Sequence, residues 1–310
     1  VKHVVTFREW EPSELLELID LSVRVKEAPR ADAHRLAGDT LIMLFQKTST
    51  RTRVSFEVGM AELGGTAVYL DWRTTNIPIT DLQYETRYLS RNCAAIMARL
   101  LHHADMRAMA EVASVPVING LDDMYHPTQV LSDFFTLREK WGILEGRKLV
   151  YVGVHNNVAN SLLVIGPKLG VEVCLVTPLV NEASLDESLL DEASATGLYR
   201  SSDDLRGEIL KTDAVYVDTW VDMEFYADPA YEEERTRRER VMIPFKLTRE
   251  LMKGSDALIL HDMPIHPGFE IEPELVDDPR SVIFDQAENL RHARKAILLT
   301  LVEPNGRKQS

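Results

Sequence analysis

Short apolar runs alternate along this chain with stretches whose apolar positions recur at helical spacing. Residues 40–45, Thr-Leu-Ile-Met-Leu-Phe, read as a buried strand, and Val54, Phe56, Val58, Met60 and Leu63 after them suit a helix packed on a sheet. Upstream, Leu15, Leu16, Leu18, Ile19, Leu21 and Val23 make a helical pattern that Glu11-Pro12-Ser13 opens like a capped start. Residues 66–70 follow as a strand, 71–78 as a loop and 82–90 as a helix; 94–98, ending at Arg99, and 115–119 are further strands. Pro127 opens a helix with Val130, Leu131, Phe134, Phe135 and Leu137 on one face, read as the connector between domains. The second half repeats the alternation, with strands at 148–152, 172–176, 214–217 and 257–260, a helix at 157–169 and a solvated mixed-charge helix at 231–240. The apolar run 281–284 and a long helical pattern from Ala287 to Leu301 close the fold. This alternation predicts an α/β fold of parallel βαβ units, with ligands at the carboxyl ends of the strands.

At 310 residues the chain has room for two domains, and 45% hydrophobic with 27% charged residues is a globular composition. No apolar run reaches the roughly 20 residues that span a bilayer. Val1-Lys2-His3-Val4 has no signal-peptide core, so a cytoplasmic location with no membrane partner is expected. Cys93 and Cys174 lie in apolar segments and read as core thiols. A net charge of −14 opposes nucleic-acid binding. It also makes one local exception stand out. Lys47, Arg51 and Arg53 share seven residues with the hydroxyls of Ser49, Thr50 and Thr52, just where the helix after the first strand should begin. The open N–H groups and positive dipole end of such a helix receive anions. A simple cap needs one hydroxyl and no cations, so the cluster reads as a phosphate site.

Ser49-Thr50-Arg51-Thr52-Arg53, preceded by Phe45 and Lys47 and followed by Val54-Ser55-Phe56-Glu57-Val58-Gly59-Met60, resembles the carbamoyl-phosphate motif of the aspartate and ornithine carbamoyltransferases. Lys47 leans toward the ornithine branch. His126-Pro127-Thr128-Gln129 matches that family's His-Pro-x-Gln motif. The resemblance implies that Ser49, Thr50, Arg51, Thr52, Arg99, His126 and Gln129 bind carbamoyl phosphate. His126 would donate to its carbonyl oxygen and Gln129 accept from its amide, while Arg99 contacts both phosphate and carbonyl. Donors from Thr52, Arg99 and His126 would then form an oxyanion hole, with no covalent nucleophile.

The acceptor half departs from the family. Asn157 matches one of its paired asparagines, and Asp218, Trp220 and Met223 match its acceptor loop, but Asp222 stands where it has Ser and Glu224 where it has Gly. In His261-Asp262-Met263-Pro264, Asp262 replaces the Cys of the ornithine branch, and a carboxylate there can hold an ammonium or take its proton. After Ala287-Glu288-Asn289 the family arginine is replaced by Leu290, with Arg291 the expected stand-in for carbamoyl-phosphate binding. The expected catalytic set is thus Arg51, Thr52, Arg99, His126, Gln129 and Asp262, and the acceptor set Asn157, Asp218, Asp222, Met223, Asp262 and Met263.

The resemblance further implies two similar-sized domains, each a parallel sheet flanked by helices, with the active site in the cleft between them. Residues 1–135, with a returning helix at 287–305, would bind carbamoyl phosphate, and 136–286 the amine. A homotrimer or multiple of trimers, with no cofactor and no metal, is expected. Ornithine, giving citrulline and phosphate, is the first expected acceptor and another diamine or diamino acid the rival. Asp222, Asp262 and Leu290 also leave open a non-catalytic, phosphate-binding regulatory relative. A zinc enzyme has less behind it, because His102, His103, His126, His155, His261 and His266 lack ligand spacing.

Overall fold

The computed structural model describes residues 1–221, 225 and 228–306. They divide into two compact units, one of residues 1–135 with 288 onward and one of residues 136–287. In the first unit α1 (Pro12–Glu27) precedes β1 (Thr40–Phe45), α2 (Thr50–Glu62), β2 (Thr66–Asp71), α3 (Leu82–Leu89), β3 (Ala95–Arg99), α4 (His103–Val112) and β4 (Val117–Leu121). The four strands form one parallel sheet in the order β2-β1-β3-β4. From Leu41 to Phe45 every residue of β1 is buried, as a strand with neighbours on both edges and cover on both faces requires. The chain leaves β1 toward β2 and returns to β3 on the other side. That reversal opens a crevice at the carboxyl ends of β1 and β3.

The helix α5 (Pro127–Trp141) runs from the first unit into the second. There β5 (Lys148–His155), α6 (Asn157–Lys168), β6 (Glu172–Val180), α7 (Glu187–Ala195), β7 (Tyr199–Ser201), α8 (Leu205–Ile209), β8 (Ala214–Val217), α9 (Glu232–Met242), β9 (Leu258–His261) and α10 (Pro273–Val276) follow. Their parallel sheet has the order β7-β6-β5-β8-β9, so its reversal lies between β5 and β8. The last helix, α11 (Ile283–Gly306), begins in the second unit and ends in the first.

The architecture is the expected α/β one, with differences that have local causes. Val115 and Pro116 precede β4, which starts at Val117 and continues through Gly120 to Leu121. Pro116 has no N–H to give a ladder. The run 281–284 makes one bridge, Ser281 to Ile259, and then turns helical, with Gln286 N donating to Val282 O at 2.8 Å. The final helix therefore opens four residues before Ala287. On α1 the buried face is Leu15, Leu18, Ile19, Ser22 and Val25, while Leu16 is exposed. The short α4, α7, β7 and α8 have too few apolar positions to declare a period; α4 buries only Met106 and Met109.

Candidate active site

In the first unit the polar turn after β1 leads into α2 at the crevice. Ser49 caps the helix, accepting from Thr52 N at 3.3 Å and placing its Oγ 3.0 Å from Thr52 Oγ1. Thr52 is buried, Thr50 is the exposed first residue of the helix, and Arg51 is half-buried. Arg53 faces elsewhere: its Nε lies 2.9 Å from Glu57 Oε1 and its guanidinium 4.0 Å from the Tyr69 ring centroid. At the end of β3 the buried Arg99 stands in register with Phe45. Gln46 pins the two strand ends together, its N donating to Arg99 O at 2.8 Å and its Oε1 accepting from Leu101 N at 2.8 Å. Gly120 closes the floor: a Cβ there would lie 2.7 Å from Met97 Sδ and 3.4 Å from Thr52 Cγ2.

His126, just before α5, is buried. Burial first, then the charges of Arg99, Arg294 and Arg51, push its pKa well below the ordinary histidine value. The ring is therefore neutral at neutral pH. A neutral imidazole donates a hydrogen bond without giving up a proton, the state suited to polarising a carbonyl. One turn along α5, Gln129 Nε2 donates to the buried Asp133 Oδ1 at 3.0 Å. That bond orients the amide and leaves its carbonyl oxygen to accept.

The helix α11 carries both Leu290 and the expected Arg291. Arg291 reaches Glu62 at 3.3 Å and Glu288 at 3.8 Å, so its charge is engaged with carboxylates. Leu290 is buried. The guanidinium of Arg294, one turn beyond Leu290 on the same face, acts on His126, and Arg99 and Arg51 act on it. Its Nη1 lies 3.2 Å from Arg51 O and 3.4 Å from Thr52 O and also bonds Ser55 Oγ. Burial, Arg99 and Arg51 lower its pKa to about 9, with Asp133 opposing, so it keeps its charge at neutral pH. Arg291 thus lies toward the end of α2 at Glu62, and Arg294 toward its first turn. The sequence signal was a cation four residues after Leu290, visible only once the start of the helix is known.

In the second unit, side chains gather at the ends of β5 and β8. Asn156 caps α6, its Oδ1 accepting from Val158 N at 2.9 Å and Ala159 N at 3.2 Å. Its Nδ2 donates to Asp218 Oδ2 at 2.7 Å, beside the Tyr151 hydroxyl at 2.8 Å, and Thr219 N donates to Asp218 Oδ1 at 2.7 Å. Three of the roughly four acceptor positions of the Asp218 carboxylate are thus filled by its own chain. Asp218 is placed to order this turn, and Asn157, half-buried, begins the helix. Asp222 and Met223 lie outside the described residues.

At the end of β9, Met263 N donates to His261 Nδ1 at 2.9 Å. Nδ1 is therefore an acceptor, and Nε2–H points to Glu270 Oε1, 3.0 Å away. Met263 holds a left-handed φ of 62°, and its partly buried side chain packs against the core of the second unit. Asp262, between them, has a 15% exposed side chain 3.8 Å from His261 Nδ1. Burial alone would raise the Glu270 carboxyl, but hydrogen bonds from His261 and His266 outweigh it and hold the pKa at about 2. A depressed carboxylate stabilises the fold above its unfolded pKa, about 4.5, and loses that contribution as pH falls toward 2. A loss of about 3 kcal/mol across that interval is expected from Glu270. Urea midpoints measured through the window should fall steeply in the parent and less steeply in Glu270→Gln; parallel slopes would exclude the assignment.

Among the described residues no group of three or more His, Cys, Asp or Glu is placed to hold a metal ion. Cys93 and Cys174 are free thiols, each pushed up to about 11 by burial. No helix among the described residues is long and apolar enough to cross a membrane.

Comparison with known proteins extends these observations to almost the full chain. Two models, both described as aspartate/ornithine carbamoyltransferase, match it: the carbamoyl-P binding domain over residues 2–139 and the Asp/Orn binding domain over residues 145–301. The chain is 39% identical over 311 residues to the ornithine carbamoyltransferase of Pyrococcus abyssi, covering 97% of this chain and 96% of that one. It is equally identical over 308 residues to the catabolic enzyme of that name from Halobacterium salinarum, with 97% and 99% covered. Among solved structures, the ornithine carbamoyltransferase of Pyrococcus furiosus superposes with a TM-score of 0.89 at 38% identity, covering 99% of this chain and 98% of that one. The Thermus thermophilus enzyme gives 0.86 at 37%, with 97% and 99% covered.

Proposed function

The chain belongs to the aspartate/ornithine carbamoyltransferase family, and we propose that it transfers the carbamoyl group of carbamoyl phosphate to the side-chain amine of ornithine, giving citrulline and phosphate. The observation that carries this reading is the convergence of the α2 N-terminus, Arg99 and neutral His126 at one strand-end crevice. A phosphoryl group there meets the helix dipole, the Ser49 and Thr52 hydroxyls and two guanidiniums. The carbonyl oxygen next to it takes hydrogen bonds from Thr52, Arg99 and His126, and the amide of the carbamoyl group gives one to Gln129.

The lone pair of the neutral amine attacks the carbonyl carbon, and the π electrons move onto oxygen. The fixed donors stabilise that oxyanion more than the ground-state carbonyl, which is where the rate is gained. Collapse re-forms the carbonyl and breaks the bond to the bridging oxygen. Phosphate leaves with the electron pair and takes the proton shed by the attacking nitrogen. Asn157, Asp218, Asp222, Met223, Asp262 and Met263 hold the acceptor in this reading, and Asp262 keeps the amine in place and accepts its proton before attack. The names of the relatives support ornithine as that acceptor. The resemblance supports a homotrimer, or a multiple of trimers, working in the cytoplasm.

Phosphate release and product mass, measured with carbamoyl phosphate and a panel of ornithine, lysine, shorter diamino acids, putrescine and aspartate, test the reading. Citrulline from ornithine is the expected result. Turnover of another amine alone would transfer the assignment to that acceptor, which the carboxylate of Asp262 would favour. Phosphate binding without any turnover would make the chain a non-catalytic relative. With ornithine as acceptor, Asp262→Asn is expected to lower kcat/KM for ornithine by about 10- to 100-fold, with KM for carbamoyl phosphate unchanged. An unchanged ornithine profile would remove Asp262 from the site.

A further inference from the structure

The largest fully buried side chain among the described residues is a charged one, Arg294. Its Nη1 faces Arg51 O, Thr52 O and Ser55 Oγ, the carbonyls and hydroxyl beneath the first turn of α2. Its guanidinium carbon lies 4.8 Å from the Phe56 ring centroid, and its Nε has no hydrogen-bond partner among the described residues. Of the charged groups that act on it, Arg51 on α2 and Arg99 on β3 share its sign, and Asp133 on α5 opposes it; His126, before α5, is neutral. On its own helix Arg291 and Lys295 turn to Glu62. Burying a guanidinium beside two others works against folding. The arrangement makes sense where an anion is to be received and where the turn that receives it must be fixed.

Resting on the carbamoyl-phosphate reading above, we propose that Arg294 is a positioning residue of the phosphate site. It clamps the first turn of α2 and supplies the charge that makes the site favour a dianionic phosphoryl group over a monoanionic one. Fully buried, it acts through Arg51, Thr52 and the field at the crevice rather than by touching the ligand.

The test is the affinity for inorganic phosphate at pH about 6 and about 8, on either side of its second ionisation. The parent is expected to bind more tightly at the higher pH. Arg294→Gln should weaken binding about tenfold at pH 8 and lose most of that gain, whereas Arg294→Lys, which keeps the charge but not the fork, should bind several-fold more weakly and keep the gain. Equal weakening at both pH values in Arg294→Gln would reduce Arg294 to a packing residue and overturn the proposal, as would unchanged affinity. Should Arg294→Gln fail to fold, loss of the gain in Arg294→Lys overturns it equally. Turnover of the parent is assayed separately: its absence would remove the transferase reading, while phosphate binding still reports on Arg294.

Discussion

Arg99→Leu is expected to lower kcat/KM for carbamoyl phosphate by about a thousandfold or more. Arg99 is buried at the end of a central strand, and its backbone is fixed by the bond from Gln46 N, so its guanidinium is delivered to one place. A planar fork held there can serve phosphate and carbonyl oxygens together. The larger part of the loss should fall on kcat, because charge on the carbonyl oxygen develops only as the amine attacks. Arg99→Lys, which keeps charge without the fork, should recover part of the phosphate affinity and little of kcat. Steady-state kinetics together with phosphate titration checks both, and an Arg99→Leu enzyme with near-parent kcat would remove Arg99 from the reacting centre.

His126→Gln is expected to cost about 10²- to 10³-fold in kcat, the size of one lost oxyanion donor, with a smaller change in KM for carbamoyl phosphate. The pH profile separates this role from general acid catalysis. Burial and then Arg99, Arg294 and Arg51 keep the His126 pKa well below 6.5, so its protonation leaves no acid limb at that pH. A limb near pH 6.5 that vanishes in His126→Gln would mean that the ring works as a proton donor, contrary to the hydrogen-bonding role. The same shift carries a stability sign. The folded chain binds fewer protons here than the unfolded one, so this contribution is complete above 6.5 and is lost as pH falls below it.

The parts of this molecule legible in the sequence were those where one strand or one motif decides the outcome. The buried run ending at Phe45 and the cap at Ser49 needed only local chemistry, and the helix start stands one residue after that cap. The Arg294 position needed more. Which of Leu290, Arg291 and Arg294 lies beneath the first turn of α2 depends on the phase of α11, whose start follows the Ser281–Ile259 bridge, a contact between distant segments. Asp218 shows the same limit. Its match to an acceptor motif says nothing of Tyr151 and Asn156, which come from β5 and the turn after it and fill its carboxylate only when β5 and β8 lie side by side.

The placement of α11 also sets an order of events during synthesis. The Ser49–Arg53 turn is made early, yet Arg294, which braces it from below, emerges only after the whole second unit has been translated. Units of this kind fold as they leave the ribosome. The second unit is therefore complete in covalent sequence before the first, and the nascent chain carries an anion turn without its brace until the last helix arrives. A messenger broken before the codon for Arg294 would yield every residue of the Ser49–Arg53 motif without the brace that α11 brings.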